Sequence, residues 1–335
     1  MMLTAPQHIR RLRQSGARST LTREHQHIMK QQGRFQSFME EQNAQKNHHS
    51  NVLMYEDSRV VLADELVRSH GDYIHASWVD GYDQKNEFIL CQAPFTPATE
   101  LDLWRMVWQT RPSVLVLLST LLGANNKALC SNFWPSTTKH TEYTDAKLRV
   151  HTVRMRMSSE YDTYEISVRG GQLPVLHVRL MHYREWISDD QVPSTSSVCN
   201  LQAKVRQVQR EVELSRNAGQ IREDKANAPL VLLCSSGVHR AGTFAALDVC
   251  LRRLERSREV ALEDTVRLMR QQRHGAVQSL NHYLFLTEAI VNHAIQHRMV
   301  DVDKVEFHLR HQQTATPATP QQNAPAKTVD KKPPS

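Results

Sequence analysis

Apolar residues along this chain fall into two kinds of spacing. Between residues 20 and 45, Ile28, Met29, Phe35 and Phe38 lie loosely among Gln, Glu and His as on one face of an amphipathic helix, which predicts a helical lead-in. From Asn51 the runs shorten. Residues 60–62, 73–79 and 88–90 are strand-like and are punctuated by Gly71 and Gly81. Leu101, Trp104, Met106, Val107 and Trp108 predict a helix over residues 100–110. Arg111-Pro112 ends it before the apolar run 114–118, which reads as a buried strand.

The second half alternates in the same way. Segments near 147–156, 162–168 and 175–181 read as antiparallel strands, with Gly170-Gly171 in a turn between two of them. A long helix is predicted over about 197–216, and Pro229 opens the apolar strand 230–233 that runs into Cys234. Helices follow at 243–254, 261–273 and 280–297. Helices alternating with both buried and half-buried strands predict an α/β (α+β) fold around a mixed sheet. No internal repeat is found. One domain is expected over 21–300, between a basic flexible arm at 1–20 and a disordered polar tail at 301–335, whose Thr, Pro, Gln, Ala and Lys content after about residue 311 is too polar to fold.

Composition narrows the class. Of 335 residues, 40% are hydrophobic and 23% charged, as in a soluble globular protein, and no apolar stretch reaches the eighteen or so residues of a membrane span. The basic start lacks an apolar core for export, so an intracellular protein is expected. Cys91, Cys130, Cys199, Cys234 and Cys250 are scattered without a CxxC pair, which suggests reduced thiols and no zinc site. The net charge of +7 would attract nucleic acid, anionic lipid or phosphorylated protein alike. Much of it sits in Arg10, Arg11, Arg13 and Arg18, for which a solvated arm is the plainer reading.

The densest chemistry lies in residues 230–244, Leu-Val-Leu-Leu-Cys-Ser-Ser-Gly-Val-His-Arg-Ala-Gly-Thr-Phe. Strand, tight loop and helix in that order turn a row of backbone N–H groups toward one point. The helix N-terminus adds partial positive charge and Arg240 a forked full charge, so Ser235, Ser236, Gly237, Val238, His239 and Arg240 would cradle a phosphate dianion. The same field favours the thiolate of Cys234, poised for in-line attack on phosphorus. A lone Cys and Arg six apart would be weak, since a buried cysteine is usually a small apolar residue. The apolar strand before and the helix opening after it give the pair its meaning.

Here the chain resembles the non-receptor protein-tyrosine-phosphatase family, whose signature is His-Cys-x5-Arg-Ser/Thr-Gly. Asp57-Ser-Arg-Val60, Asp72-Tyr-Ile-His-Ala-Ser77, Asp80-Gly-Tyr82, Gln92-Ala-Pro94, Leu103-Trp-Arg-Met-Val-Trp108, Phe133-Trp-Pro135 and Gln272-Arg273 to Tyr283 resemble successive family motifs in order, over about residues 25–295. Residues 23–29, Asn47 and 57–62 look most like the tyrosine-phosphatase-like proteins of bracoviruses, which act in host immune cells. The resemblance implies a central, highly twisted mixed β-sheet flanked by helices, and a cytoplasmic monomer, in the host cell if the viral likeness holds. Phosphotyrosine proteins would be its partners, with no cofactor and no metal. It also implies a general acid on a mobile loop. Aligned on Val192-Pro193, that acid is Asp189, with Asp190 in reserve, Ser188 in place of a proline and Trp186 one place early. Gln278 falls where the family positions the hydrolytic water, and His282 where it has a second glutamine. His49 and Asn51 fall where the family stacks a tyrosine on the substrate ring and grips its backbone with an aspartate.

Several departures surround the same loop. The histidine before the nucleophile is Leu233, the hydroxyl residue after the arginine is Ala241, and the glycine before it is His239, which would be strained if that position needs a positive φ. Two readings stay open: a phosphatase of impaired activity using Cys234, Arg240, Asp189 and Gln278, or a catalytically dead pseudophosphatase that captures phosphotyrosine proteins. Nucleic-acid binding has no recognised motif behind it.

Overall fold

The computed structural model describes residues 2–28, 32–63, 71–123, 126–189, 191–218 and 228–300. In chain order the elements are β1 (Leu3–Thr4), α1 (Ala5–Leu12), α2 (Ala17–Ile28), α3 (Gln36–Met39), a 3-10 turn (Glu41–Lys46), β2 (Arg59–Val61), β3 (Tyr73–Val79), β4 (Phe88–Gln92), α4 (Pro97–Thr110) and β5 (Val114–Leu117). They continue with β6 (His140–Tyr143), β7 (Leu148–Met157), β8 (Tyr161–Gly170), β9 (Leu176–Tyr183), α5 (Thr195–Ala218), β10 (Leu230–Cys234), α6 (Arg240–Ser257), β11 (Glu259–Val260), α7 (Leu262–Gln272) and α8 (Leu280–Gln296). Among the described residues the main sheet has the order β2-β3-β4-β10-β5-β9-β8-β7-β6, and β1 pairs with β11 beside it. The four central strands β4, β10, β5 and β9 are parallel and the flanking pairs antiparallel, the mixed α/β sheet that the patterning predicts.

Strand period decides what each face holds. Leu230, Leu232 and Cys234 of β10 enter one core with Phe88, Leu90, Val114 and Val116, under α1, α2 and α5 to α8. Val231 and Leu233 enter the other with Ile89, Cys91, Leu115 and Leu117, under α4. Leu233, where the resembled family has histidine, therefore leaves the sheet on the face opposite Cys234. It is packed as an apolar core residue.

The N-terminal arm is a correction. Residues 1–20 were expected to be flexible, but Thr4 and Gln7 form a reciprocal N-terminal cap, Pro6 sits in the first turn, and Ala5, Ile9 and Leu12 at helical spacing are buried in the core of α6 and α8. The arginines that make this segment look solvated occupy the outer face, and Arg11 pairs with Glu24 of α2. The lead-in is likewise not one helix over 20–45, since α2 stops at Ile28 and the chain resumes with α3 and the 3-10 turn. Met29 and the 301–335 tail lie outside the described residues. β6, with half its positions exposed, carries no apolar run and was not foreseen. After Gly170 the chain takes five further residues to reach β9, so the turn is longer than a two-residue hairpin. Among the described residues no helix is long and apolar enough to cross a membrane.

Because Ile9 is packed and not solvated, Ile9→Ala should lower unfolding free energy by about 2 kcal/mol or more in a denaturant titration. A mutant as stable as the parent would restore the flexible-arm reading.

Candidate active site

β10 delivers Cys234 to the carboxyl end of the parallel strands, and α6 begins only six residues later at Arg240. The loop between them closes tightly. Gly237 N–H donates to the Cys234 carbonyl at 3.1 Å and to its Sγ at 3.2 Å, and Val238 N–H donates to Ser236 Oγ at 3.4 Å. Among the described residues the N–H groups of Ser235, Ser236, His239 and Arg240 meet no protein acceptor, at the N-terminus of an eighteen-residue helix. Such a ring of donors suits an anion.

Gly237 carries the loop's positive φ, +69°, and a Cβ there would lie 2.5 Å from the Gln92 nitrogen and 2.7 Å from Nη2 of Arg273. Glycine is required on both counts. His239, where strain was foreseen, has φ −77° and needs no glycine.

Beneath the loop lies Arg273, fully buried. Its Nε donates to the Gly237 carbonyl at 3.2 Å and Nη2 to the Ser236 carbonyl at 3.4 Å, while Nη1 reaches Ser77 Oγ at 3.2 Å. Nη2 also meets His75 Nδ1 at 2.8 Å, and His75 Nε2 lies 2.9 Å from the Val52 carbonyl. Burial, and then the charge of Arg273, push His75 down to about 3, so it accepts as a neutral ring. Arg273 is itself lowered to about 10, chiefly by burial, and remains a cation at neutral pH. Sequence motifs included it without a role. Its burial under the loop was not legible.

Arg240 is buried and engaged on two sides. Nη1 donates to Ser119 Oγ at 2.7 Å and to the Leu118 carbonyl at 3.3 Å, and Nε donates to Asp189 Oδ1 at 2.9 Å. Asp189 Oδ2 lies 3.0 Å from Nδ1 of His239. Burial would raise the Asp189 carboxyl, but the hydrogen bond from His239 and the neighbouring charges of Arg240 and His239 overcome it and hold it at about 2. Asp189 is thus ionised at neutral pH in this arrangement. Asp190 lies outside the described residues. Trp186, which anchors the acid segment, is buried against His282 and Phe285 with ring centroids 5.5 and 6.0 Å away.

Gln278 is exposed and follows Val277, whose φ of +55° is unusual for a β-branched residue. Val277 N–H donates to the Val238 carbonyl at 3.3 Å, and the Val277 carbonyl accepts from Arg270 Nη2 at 2.6 Å with His25 Nε2 at 3.0 Å. Phosphate loop and glutamine segment are therefore tied backbone to backbone. Gln278 lies close enough to His239 to favour its charged form. His282 is buried, lacks a hydrogen bond of normal geometry at either ring nitrogen, and is lowered to about 4, first by burial.

At the mouth, His49 Nε2 lies 3.0 Å from Ser235 Oγ, and His48 stacks on Phe95 at 4.5 Å and 13°. Burial lowers the pKa of both histidines. His48 N–H donates to Gln92 Oε1 at 2.8 Å, an anchor that sequence did not reveal. Asn51 is exposed, without a hydrogen bond to the phosphate loop among the described residues. Ala241 is buried, and Thr243 Oγ1 is committed to the His239 carbonyl at 2.7 Å, so it does not stand in for the missing hydroxyl. Among the described residues no group of His, Cys, Asp and Glu could hold a metal ion.

A family model described as "Protein-tyrosine phosphatase" matches residues 43–292, well over half of the chain. Tyrosine-protein phosphatase 3 of Dictyostelium discoideum is 31% identical over 265 residues, 77% of this chain and 26% of that protein. Receptor-type tyrosine-protein phosphatase V of Rattus norvegicus is 31% identical over 75% of this chain and 14% of its own length. Tyrosine-protein phosphatase non-receptor type 13 of Homo sapiens is 28% identical over 75% of this chain and 9% of its own. The chain spans about a quarter or less of these relatives, and both receptor and non-receptor proteins are among them.

Since Asp189 holds the Nε edge of Arg240, it competes with any phosphate for that donor. Asp189→Asn should bind orthovanadate several-fold more tightly than wild type by calorimetry at neutral pH. Equal or weaker binding would show that the carboxylate does not compete.

Proposed function

Because the chain belongs to the protein-tyrosine phosphatase family, we propose that it dephosphorylates phosphotyrosine proteins through a phosphocysteine intermediate, at impaired rate. One observation carries this reading. Cys234 Sγ accepts the Gly237 N–H inside a loop whose N–H groups at Ser235, Ser236, His239 and Arg240 meet no acceptor among the described residues, with Arg240 opening the helix that follows. Cys234 attacks phosphorus, Arg240 and the loop N–H groups hold the equatorial oxygens, and Asp189 protonates the leaving tyrosyl oxygen. Gln278 then orients water against the phosphocysteine. His49 and Asn51 contact the substrate ring and backbone.

Impairment follows from particular residues. Leu233 offers no polar contact to the loop, Ala241 no hydroxyl, and Asp189 must leave Arg240 before a dianion takes its place. That last contact favours the second reading, a pseudophosphatase that captures phosphotyrosine proteins without turnover. The likeness of residues 23–29, Asn47 and 57–62 to bracovirus proteins supports action as a monomer on phosphoproteins in the cytoplasm of host immune cells.

A continuous assay with 4-nitrophenyl phosphate tests the choice. Wild type should hydrolyse it measurably, and Cys234→Ser should fall to background, a loss of at least a hundred-fold. Equal rates in the two proteins, with a phosphotyrosine peptide still bound in calorimetry, would replace hydrolysis by capture. Absence of both would remove both.

A further inference from the structure

His239 adds to the phosphate loop a side chain absent from the signature that this chain resembles, and two separate segments converge on it. Nδ1 lies 3.0 Å from Asp189 Oδ2, and Gln278 is near enough to the same ring to bear on its charge. The candidate acid after β9 and the candidate water-positioning residue before α8 thus share one imidazole. Its side chain is 25% exposed, and its backbone is unstrained at the start of α6.

Both oxygens of Asp189 are engaged, one by Nε of Arg240 at 2.9 Å and the other by Nδ1 of His239 at 3.0 Å. A proton placed on the carboxyl would give up one of these contacts. A ring that donates Nδ1–H to a carboxylate keeps its other nitrogen free to hold a second proton. The charged and titratable groups facing His239 are Asp189 from the acid segment, Arg240 from α6, His49 from the segment before β2 and His282 from α8. His49 and His282 are kept from charging chiefly by burial. Burial, and to a lesser degree Arg240, oppose a charged His239, but the hydrogen bond and charge of Asp189, with Gln278 nearby, outweigh them and raise it above the ordinary 6.5.

We propose that His239 and Asp189 form one acid unit, in which the imidazole stores the proton that the carboxyl delivers to the leaving group; this rests on the phosphatase reading above. As sulfur bonds phosphorus, the bond from phosphorus to the tyrosyl oxygen breaks and its electron pair passes to that oxygen. Asp189, ionised at the outset, takes the Nδ1 proton of the charged His239 and passes a proton to that oxygen, leaving a neutral ring and a carboxylate. In the second step the water oxygen bonds phosphorus, the S–P bond breaks to release thiolate, and the water's proton returns through Asp189 to His239. His239 acts through Asp189 and is a positioning residue, with Asp189 in contact with substrate.

A general acid is lost as pH rises through its pKa, so storage on a raised histidine carries activity to higher pH than a bare carboxyl would. His239→Asn keeps a donor for Asp189 but stores no proton. The kcat profile of wild type with phenyl phosphate should break above pH 6.5, and that of His239→Asn at least one unit lower, which is about a ten-fold loss at neutral pH. With 4-nitrophenyl phosphate, whose leaving group needs less protonation, the loss should be smaller. A His239→Asn enzyme with an unchanged pH break and the same leaving-group dependence would overturn the inference while leaving the phosphatase reading intact. If wild type hydrolyses neither ester, the phosphatase reading falls, and NMR titration of His239 still judges the pair. A His239 pKa above 6.5 that drops in Asp189→Asn supports the unit, and a titration unmoved by that substitution sinks it.

Discussion

Arg273 is the constraint from which the phosphate loop takes its shape. A guanidinium in the interior is costly unless its donors are met, and here they are met by neutral groups: two loop carbonyls, Ser77 and a neutral His75. The carbonyls of Ser236 and Gly237 are held by that cation, which fixes the backbone at the middle of the loop. The same closeness excludes any side chain at Gly237, whose Cβ would collide with the guanidinium. The position of Arg273 is fixed in turn by its neighbour, since Gln272 Oε1 accepts from Asp80 N–H at 2.9 Å and the Gln272 carbonyl accepts from Ser58. Sheet edge, α7 and loop are one unit because a buried charge joins them.

A second brace comes from the N-terminal helices. His25 of α2 and Arg270 of α7 converge on the Val277 carbonyl, and Val277 N–H holds Val238 in the phosphate loop. A positive φ at a β-branched residue is sustained only where surrounding bonds over-determine it. These bonds do so, and they aim Gln278. The N-terminal helices are thus connected to the site through two residues, which makes their docking by Ala5, Ile9 and Leu12 relevant to its geometry as well as to stability.

Legibility in the sequence followed physical range. The runs in β4, β5 and β10 are apolar on both faces, so period and burial coincide and composition alone exposes them. Cys234, Gly237 and Arg240 were legible because strand, loop and helix are contiguous in the chain. α1 was hidden because three apolar residues are spread among Arg10, Arg11 and Arg13, and only the docking surface shows which side counts. Arg273 and His75 are polar residues read by default as exposed, and nothing local says that each satisfies the other across about two hundred positions. Aligning Val192-Pro193 singles out Asp189 as a candidate, but its clasp on Arg240 depends on a loop position that spacing does not encode.

The three histidines that stand where the resembled family carries tyrosine, glycine and glutamine show how little residue type decides by itself. His49 and His282 are driven toward the neutral form chiefly by burial, whereas His239, which burial also opposes, is driven toward the charged form because a carboxylate touches it. The rim of the loop therefore gains an imidazole drawn toward its charged form, and that ring is already committed to an anion of the protein. When a phosphate dianion takes the Nε edge of Arg240, Asp189 loses one of two partners and keeps the other. His239 then still holds the carboxylate at the rim of the loop, a contact that a glycine could not make.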